Sequence, residues 1–322
     1  MGWQCPPRVR RRGGVPVSPA TPGGSPCHAL SFDVEEYFQV ANLAHHFPRA
    51  EWDAIPSRLD LGMDPILAAL ERHGARATFF FLGWVAERRP DLVRRCLAGG
   101  HEIASHGYDH RFLGELGPEG LDADLARTEE LLMAAGAPRP RGFRACTFTL
   151  TRETWWAFDV LARRGYTYDS SVHPVHHPTY GVPDFPPLIT PVSAAAAASA
   201  GAPAGTPGEA RTILEFPVTT LPWAGRNLPV GGGGYLRLAP GALHRAALRR
   251  VVSLGRPLCL YLHPWEFDPA QPRVPAPLLS TFRHRVGLGH TAARLEALLG
   301  TFNFLSLGEV LSRQPEPGAG PG

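Results

Sequence analysis

The chain has 322 residues, 44% of them hydrophobic, which is enough for one large domain with a substantial core. A net charge of +3 is too small to indicate a nucleic-acid-binding protein. The five cysteines are dispersed without a Cys-x-x-Cys pair, which argues against a disulfide framework and against a cysteine-based zinc site. No segment approaches the ~20 continuous apolar residues of a membrane span.

The two ends of the chain differ in composition from the rest. Residues 1–26 are rich in Arg, Pro, Gly and Ser and lack the apolar segment of a secretory signal, so we expect a disordered tail. The default expectation is therefore a cytoplasmic protein, with a periplasmic or membrane-associated location as the alternative. Residues 312–322 predict a second disordered tail, which leaves one folded region at 27–311.

Short apolar runs alternate with helical patterns after the first tail. The runs "HALSFDV" and "ATFFFLG" predict buried strands, and "DPILAALERHG" between them predicts a helix that Asp64 caps and Gly74 ends. The alternation continues through "HEIASHG", "GFRAC" and "YTYDSS". Such repetition predicts an α/β protein with a parallel sheet, open or closed into a barrel.

The second half of the chain begins with a break in this pattern. A low-complexity stretch at about 190–211 predicts a flexible insertion, and regular structure resumes in a C-terminal part at about 220–311. There "PLCLYLHP" predicts a strong buried strand. The glycines of 231–234 are not followed by the Lys-Ser/Thr of a phosphate-binding loop, so they predict a flexible turn.

Three carboxylates end the first predicted strand. Because side chains alternate along a strand, Asp33 and Glu35 point to one side and Glu36 to the other. The carboxyl end of a parallel strand is where α/β active sites are built. Taken alone, however, acids at a strand end are usually just solvated.

The motif "SHGYDH" supplies His106 and His110, which are four positions apart in a predicted loop after a strand. Two imidazoles and one carboxylate form a ligand set that leaves coordination positions open, as a catalytic zinc site requires. A further carboxylate beside the metal can then accept a proton from water. These elements together predict metal-assisted hydrolysis with a divalent cation, Zn²⁺ in the first place.

Five motifs of the chain resemble, in the same order, those of the polysaccharide deacetylases, the NodB-homology carbohydrate esterases. They are the strand-end acids, "SHGYDH", "RGFRACTF", "YDSS" and "LYLHPWE". The segments "SFDVEEYFQV", "LYLHPWEFDPAQPR" and "FRHRVGLGHTAARL" most resemble the exosortase-associated exopolysaccharide branch, which has a C-terminal extension of the DUF3473 type. The resemblance implies a distorted (β/α) barrel. It also implies a metal-dependent enzyme, usually a zinc enzyme, that removes N-acetyl groups from amino-sugar polymers.

The resemblance further implies a role for each matching residue. Asp33 matches the general base and Arg144 the residue that holds this base ionised, whereas His263 matches the general acid and Asp169 the carboxylate that orients it. The remaining matches are the metal ligands Glu35, His106 and His110, the oxyanion-binding backbone of Thr147, and Trp265 at the sugar-binding surface.

One position departs from the family pattern, and the assignment of the metal carboxylate remains open. Cys146 stands where related sequences commonly have Pro, and we interpret it as a packing residue rather than a nucleophile. Glu36 remains an alternative to Glu35 as the metal carboxylate.

Three other functions compete with deacetylation of a polysaccharide. An amidohydrolase of the same fold acting on a small amide or ureide would need a closed pocket instead of an open groove. A metal-free glycoside hydrolase would use Asp33 with a second carboxylate and would leave His106 and His110 without a role. A non-catalytic sugar-binding protein would not need the complete set of acids, imidazoles and Arg144.

Overall fold

The computed structural model describes residues 27–177, 179–194, 211–274 and 277–314. The tail predicted at 1–26 and most of the insertion predicted at 190–211 lie outside these residues. The strands are β1 (Cys27–Val34), β2 (Thr78–Phe81), β3 (Glu102–Ser105), β4 (Gly142–Phe143), β5 (Tyr168–Asp169), β6 (Thr190–Ser193), β7 (Thr212–Glu215), β8 (Thr220–Trp223), β9 (Arg226–Pro229), β10 (Cys259–Leu262) and β11 (Asn303–Leu305).

The helices lie mainly between these strands along the chain. They are α1 (Leu59–His73), α2 (Gly83–Arg88), α3 (Pro90–Ala98), α4 (Leu113–Ala134), α5 (Ala157–Arg164), α6 (Gly233–Leu238), α7 (Gly241–Ser253), α8 (Leu278–Arg285), α9 (Thr291–Thr301) and α10 (Leu307–Leu311). Within the described part of the chain, none of them combines the length and apolar character that crossing a membrane requires.

Nine strands form one sheet in the order β10-β1-β2-β3-β4-β5-β7-β6, with β11 also paired to β1. All pairs are parallel except β6 with β7. The chain after β7 reaches back to β10, where Thr219 N–H donates to Cys259 O at 3.1 Å. The sheet therefore closes into the α/β barrel that the family resemblance implies.

Strand β1 is buried along its whole length, as expected for a strand in the middle of a parallel sheet. Its alternating side chains serve two cores. Leu30, Phe32 and Val34 pack among the helices, whereas Ala29 packs with side chains of other strands inside the barrel. Asp33 shares the inward face with Ala29, so a carboxylate enters the end of the barrel interior.

Local structure departs from the predictions at two places. Helix α1 begins at Leu59 rather than after Asp64, because Leu59 and Met63 already pack into the core, and Pro65 lies within the helix. It ends at Gly74 in the left-handed conformation, as predicted. The predicted flexible turn at 231–234 instead leads into α6, and a Cβ at Gly232 would lie 2.7 Å from Tyr261 Oη.

Candidate active site

Strand register brings the predicted site residues to one end of the barrel. Val34 pairs with Phe81, Phe81 with Ser105, and Ser105 with Phe143, while Phe32 pairs with Leu262. Glu35, His106, Arg144 and His263 each directly follow the last residue of one of these strands. They therefore surround the carboxyl end of the barrel, where α/β enzymes carry their active sites.

Asp33 is held by a completely buried arginine. Arg144 Nη1 donates to Asp33 Oδ1 at 2.6 Å and to Ser31 Oγ at 2.7 Å. The other side of the guanidinium donates to Ser170, through Nε to the carbonyl at 3.0 Å and through Nη2 to Oγ at 2.9 Å. With both partners less than 3% exposed, this ion pair fixes the direction of the Asp33 carboxylate.

The two imidazoles of "SHGYDH" lie side by side, with ring centroids 5.6 Å apart. His106 Nδ1 is 2.8 Å from Arg144 O, and because a carbonyl can only accept, Nδ1 carries the proton. This leaves the lone pair of His106 Nε2 available. Burial lowers the pKa of His106 to about 4, which keeps the imidazole neutral.

Glu35 faces His110. Its Oε2 lies 2.9 Å from His110 Nε2, yet it forms no hydrogen bond with the described residues, and both side chains are almost completely buried. Burial alone would raise the pKa of Glu35, but the close His110 imidazole and the charges of His263 and His106 lower this pKa to about 2. Glu35 is therefore a buried carboxylate with an unused oxygen beside an imidazole.

This donor set fits a divalent cation. A neutral imidazole with a free lone pair, a second imidazole and an ionised carboxylate oxygen without a hydrogen bond are the ligands that zinc prefers in catalytic sites. The other carboxylate in question, Glu36, accepts from the backbone N–H of Arg58 at 3.1 and 3.2 Å, just before α1. Burial raises the pKa of Glu36, and its contacts serve the start of that helix.

His263 lies between three carboxylates. Its Nε2 is 3.6 Å from Glu35 Oε1 and 3.9 Å from Asp33 Oδ2, and its Nδ1 is 3.5 Å from Glu266 Oε2. Burial alone would lower the pKa of His263, but the interaction with Glu266 and the charges of Glu35 and Asp33 raise it to about 9. The imidazole is thus suited to carry a proton at this end of the barrel.

The structure places Asp169 differently from the sequence prediction, and Glu266 is the acid next to His263. Asp169 accepts from Ser171 N–H at 2.8 Å and from Ser171 Oγ at 2.6 Å, and its carboxyl group also interacts with that of the buried Glu215. Ser171 Oγ in turn accepts from Ala145 N–H at 2.7 Å. Through Ser171, Asp169 therefore supports the backbone next to Arg144.

The segment after Arg144 has an unusual backbone. Thr147 has φ 53° and Phe148 φ 57°, and His110 nearby in the site has φ 59°. A β-branched residue at positive φ is strained, and such strain is concentrated at functional sites. The backbone of Thr147 is therefore strained, and its role as the oxyanion donor stays a prediction.

Cys146 is a buried thiol beside the two imidazoles. Its Sγ lies within 4.8 Å of one nitrogen each of His106 and His110, and it donates to His106 O at 3.0 Å. Burial raises the pKa of this thiol well above its usual value. Cys146 therefore remains protonated in this environment and supports the backbone of His106.

Trp265 contacts the site through its edge as well as its face. Its Nε1–H donates to Glu35 Oε1 at 3.2 Å, and its ring stacks with His263 at 5.3 Å and with His284 at 4.5 Å. Only 9% of the residue is exposed. Its main contacts therefore position Glu35 and His263, and little of the ring is available to a sugar.

Family comparisons assign two parts of the chain. Residues 52–168 match the family model described as "Polysaccharide deacetylase", and residues 170–312 match "Domain of unknown function (DUF3473)". The chain therefore carries a polysaccharide deacetylase domain followed by a DUF3473 domain. The second match begins much earlier than the C-terminal part predicted from about residue 220, because strands β6 and β7 belong to it.

Curated relatives resemble parts of the chain. A chitooligosaccharide deacetylase of Rhizobium leguminosarum bv. trifolii is 33% identical over 111 residues, which are 34% of this chain and 47% of that protein. A peptidoglycan-N-acetylglucosamine deacetylase of Bacillus cereus is 39% identical over 83 residues, 25% of this chain and 30% of that protein. The chain thus matches less than half the length of either relative.

A solved structure resembles almost the whole chain. The crystal structure of a candidate polysaccharide deacetylase from Mycobacterium smegmatis has a TM-score of 0.57 at 18% identity. The similarity covers 96% of this chain and 99% of that one, and it shows that the two share a fold.

Proposed function

We propose that this protein is a metal-dependent hydrolase that removes N-acetyl groups from amino-sugar residues of a polysaccharide. One observation carries the proposal: a buried Asp–Arg pair, an imidazole pair with a buried carboxylate, and a further imidazole all meet at the carboxyl end of one barrel. Both curated relatives described above have names that refer to deacetylation of amino sugars.

The proposed ligands of the cation are Glu35, His106 and His110. When bound, a divalent cation polarises a carbonyl oxygen and makes water a better nucleophile. The side chains of this protein then handle the protons. Asp33, which Arg144 orients, accepts the proton of the attacking water.

The remaining steps need an oxyanion donor and a general acid. The backbone N–H of Thr147 stabilises the negative charge that develops on the carbonyl oxygen, and one such donor is typically worth ~3 kcal/mol. His263 donates a proton to the nitrogen as the C–N bond breaks, which yields acetate and a free amine. Glu266 and Trp265 hold His263 in position for this transfer.

The test is acetate release from N-acetylglucosamine oligomers by the full chain. We expect a chelator to abolish release and added zinc to restore it. Asp33→Asn and His263→Ala should each reduce the rate by roughly 10²–10⁴-fold. Thermal melts should show that both variants remain folded. Acetate release that persists undiminished with chelator or in Asp33→Asn would contradict the proposal.

A further inference from the structure

One segment of the chain has an unusual charge. Residues 216–265 contain six arginines and neither Asp nor Glu, although the whole chain has 29 acidic residues. Two of these arginines are used inside the fold. Arg237 Nε pairs with Glu266 Oε1 at 2.9 Å, and the buried Arg256 donates to a backbone carbonyl of β8 at 2.6 Å. Within the described part of the chain, the other four form no ion pair; they are Arg226, Arg245, Arg249 and Arg250.

The same segment contains exposed apolar side chains. Nine large hydrophobic residues of the described chain are exposed, and five of them lie between positions 223 and 254. These five are Trp223, Leu228, Leu238, Leu243 and Leu254. Trp223 is the most exposed of all nine, at 66%. Single exposed apolar side chains are ordinary, whereas a cluster of them marks an interaction surface.

Trp223 lies at the tip of the β8–β9 hairpin. It ends β8 directly before the turn at 224–225, where both residues have positive φ, as a tight two-residue hairpin requires. Trp223 is paired with Arg226 across the hairpin, so the indole and the guanidinium stand on the same face. The next pair on this face is Leu221 with the exposed Leu228. The hairpin thus presents an indole, a guanidinium and a leucine side by side.

Helix α7 continues this surface. It packs against β8, and His244 Nε2 near its start lies 2.8 Å from Val230 O, just after β9. Leu243, Arg250 and Leu254 are spaced by seven and four positions, so they lie in one line along the exposed side of the helix and its C-cap. We name the exposed side chains of the β8–β9 hairpin and of this side of α7 the hairpin–helix surface.

The hairpin–helix surface is separate from the candidate active site. The segment that enters the hairpin bonds to the first residue of β10, because Thr219 N–H donates to Cys259 O, and α7 ends just before that strand begins. His263 follows the last residue of the same strand. A partner bound to the hairpin–helix surface therefore leaves the carboxyl end of the barrel open.

The chemistry of this surface fits a membrane with anionic lipids. Such a membrane offers phosphates to the unpaired guanidinium groups and, just below them, an apolar layer for the indole and the leucines. Tryptophan is enriched at this boundary, because its ring is apolar and its N–H is polar. A soluble polyanion would pair with the arginines alone and would leave the apolar side chains in water.

We infer that the hairpin–helix surface docks the enzyme on a membrane that contains anionic lipids. Trp223 and the exposed leucines enter the boundary between headgroups and acyl chains, and Arg226, Arg249 and Arg250 contact lipid phosphates. The enzyme then lies on the membrane without spanning it. This inference is independent of the reaction proposed above and adds a place where that reaction occurs.

The test is co-sedimentation of the full chain with lipid vesicles. We expect binding to vesicles of equal parts phosphatidylcholine and phosphatidylglycerol, much weaker binding to phosphatidylcholine alone, and a decrease with added salt. Trp223→Ser should weaken binding to the mixed vesicles about 10-fold, because it removes apolar surface from the membrane. Arg250→Gln should weaken it about 5-fold, as expected for one guanidinium near an anionic surface. Acetate release in solution should not change in either variant.

Matched controls come from other parts of the surface. Phe282→Ser removes an aromatic side chain that is 56% exposed on α8, and Arg94→Gln removes an exposed arginine of α3. Both should bind like the wild type. The arginines at positions 8–12 are present in every variant, so their contribution cancels in the comparison.

Three results would overturn the inference. The first is no binding of the wild type to the mixed vesicles, and the second is undiminished binding by both Trp223→Ser and Arg250→Gln. The third is binding to heparin in solution that Arg250→Gln weakens, together with vesicle binding that Trp223→Ser leaves unchanged, because the surface would then be a site for a soluble polyanion. A wild type that releases no acetate but binds vesicles as predicted would contradict only the proposed reaction.

Discussion

Two contacts fix the Glu266 carboxylate beside His263. Arg237 Nε donates to Glu266 Oε1 at 2.9 Å, and the backbone N–H of His263 donates to Oε2 at 2.9 Å. A Cβ at Gly233 would collide with the same carboxylate, so only glycine leaves room for it. Glu266 is therefore a rigid, ionised partner for the His263 imidazole.

We predict that Glu266→Gln impairs amide cleavage more than ester cleavage. The variant keeps the shape of the side chain but loses the charge that favours protonated His263. Acetate release from an N-acetylglucosamine oligomer should fall by about 10–100-fold, mostly in kcat. Hydrolysis of 4-nitrophenyl acetate should change little, because its leaving group needs no proton. Steady-state kinetics with both substrates measure this difference.

Asp268→Asn is the matched control, since it neutralises another buried carboxylate of the same loop, one that pairs with Arg58. Asp268→Asn should change the rates of acetate release and of 4-nitrophenyl acetate hydrolysis by the same factor. Equal losses on both substrates in Glu266→Gln would indicate that Glu266 has only a structural role.

Individual site residues differ in how far the sequence could predict them. Five of them could be predicted because they lie in motifs at strand ends, and the carboxyl ends of the strands of a parallel barrel must meet. These residues are Asp33, His106, His110, Arg144 and His263. Glu266 was missed, although its spacing of three from His263 after a proline was a usable signal for a short helical turn. Asp169 was misassigned because a sequence does not show which neighbour a strand-end side chain faces.

At the scale of elements, the start of β1 joins three strands through one histidine. His28 Nδ1 accepts from the backbone N–H of Leu258, just before β10, at 3.3 Å. Its ring also contacts Phe302 and Phe304, the latter in β11. Burial lowers the pKa of His28 from 6.5 to about 4, so these contacts between the strands require a neutral imidazole.

We predict that His28 makes the fold sensitive to acid. The pKa of His28 is lower in the folded state than in the unfolded state, so its stabilising contribution is complete above pH 6.5 and is lost as the pH falls towards 4. At pH 5 this loss is on the order of 2 kcal/mol. Urea unfolding at pH 7.5 and pH 5 should show a smaller difference in unfolding free energy for His28→Gln than for the wild type.

His45→Gln is the control, because His45 is exposed. The unfolding free energy of this variant should depend on pH as it does in the wild type. An unchanged pH dependence in His28→Gln would mean that other groups cause the sensitivity to acid.

Most regular elements could be predicted, and the strands that were missed have a shared cause. The strands β6, β8 and β9 contain Pro191, Pro222 and Pro229, and proline in a sequence argues against a strand. These prolines are tolerated because β6 lies at the edge of the large sheet and β8 and β9 form a separate two-stranded hairpin. In contrast, Pro90 begins α3, where the missing N–H of proline removes no hydrogen bond of the helix, and it separates α3 from α2.

At the scale of the whole molecule, the two family matches share one barrel. The boundary between them falls at Asp169, the last residue of β5, and β5 pairs with β7 of the second match. The barrel interior at its carboxyl end receives Asp33 and Glu35 from before residue 52, the imidazole pair and Arg144 from the deacetylase match, and His263 from the DUF3473 match. Neither matched region alone contains the complete candidate site.

The metal content of purified variants tests the account most directly, because the convergence of Glu35, His106 and His110 on one cation is its central claim. We predict about one zinc per chain in the wild type and the same zinc content in Asp33→Asn. Glu36→Gln should also keep the zinc, because Glu36 points to the other side of the strand end from Glu35. Zinc should be lost from Glu35→Ala and from His106→Ala. Zinc retained by His106→Ala, or lost from Glu36→Gln but kept by Glu35→Ala, would contradict the account.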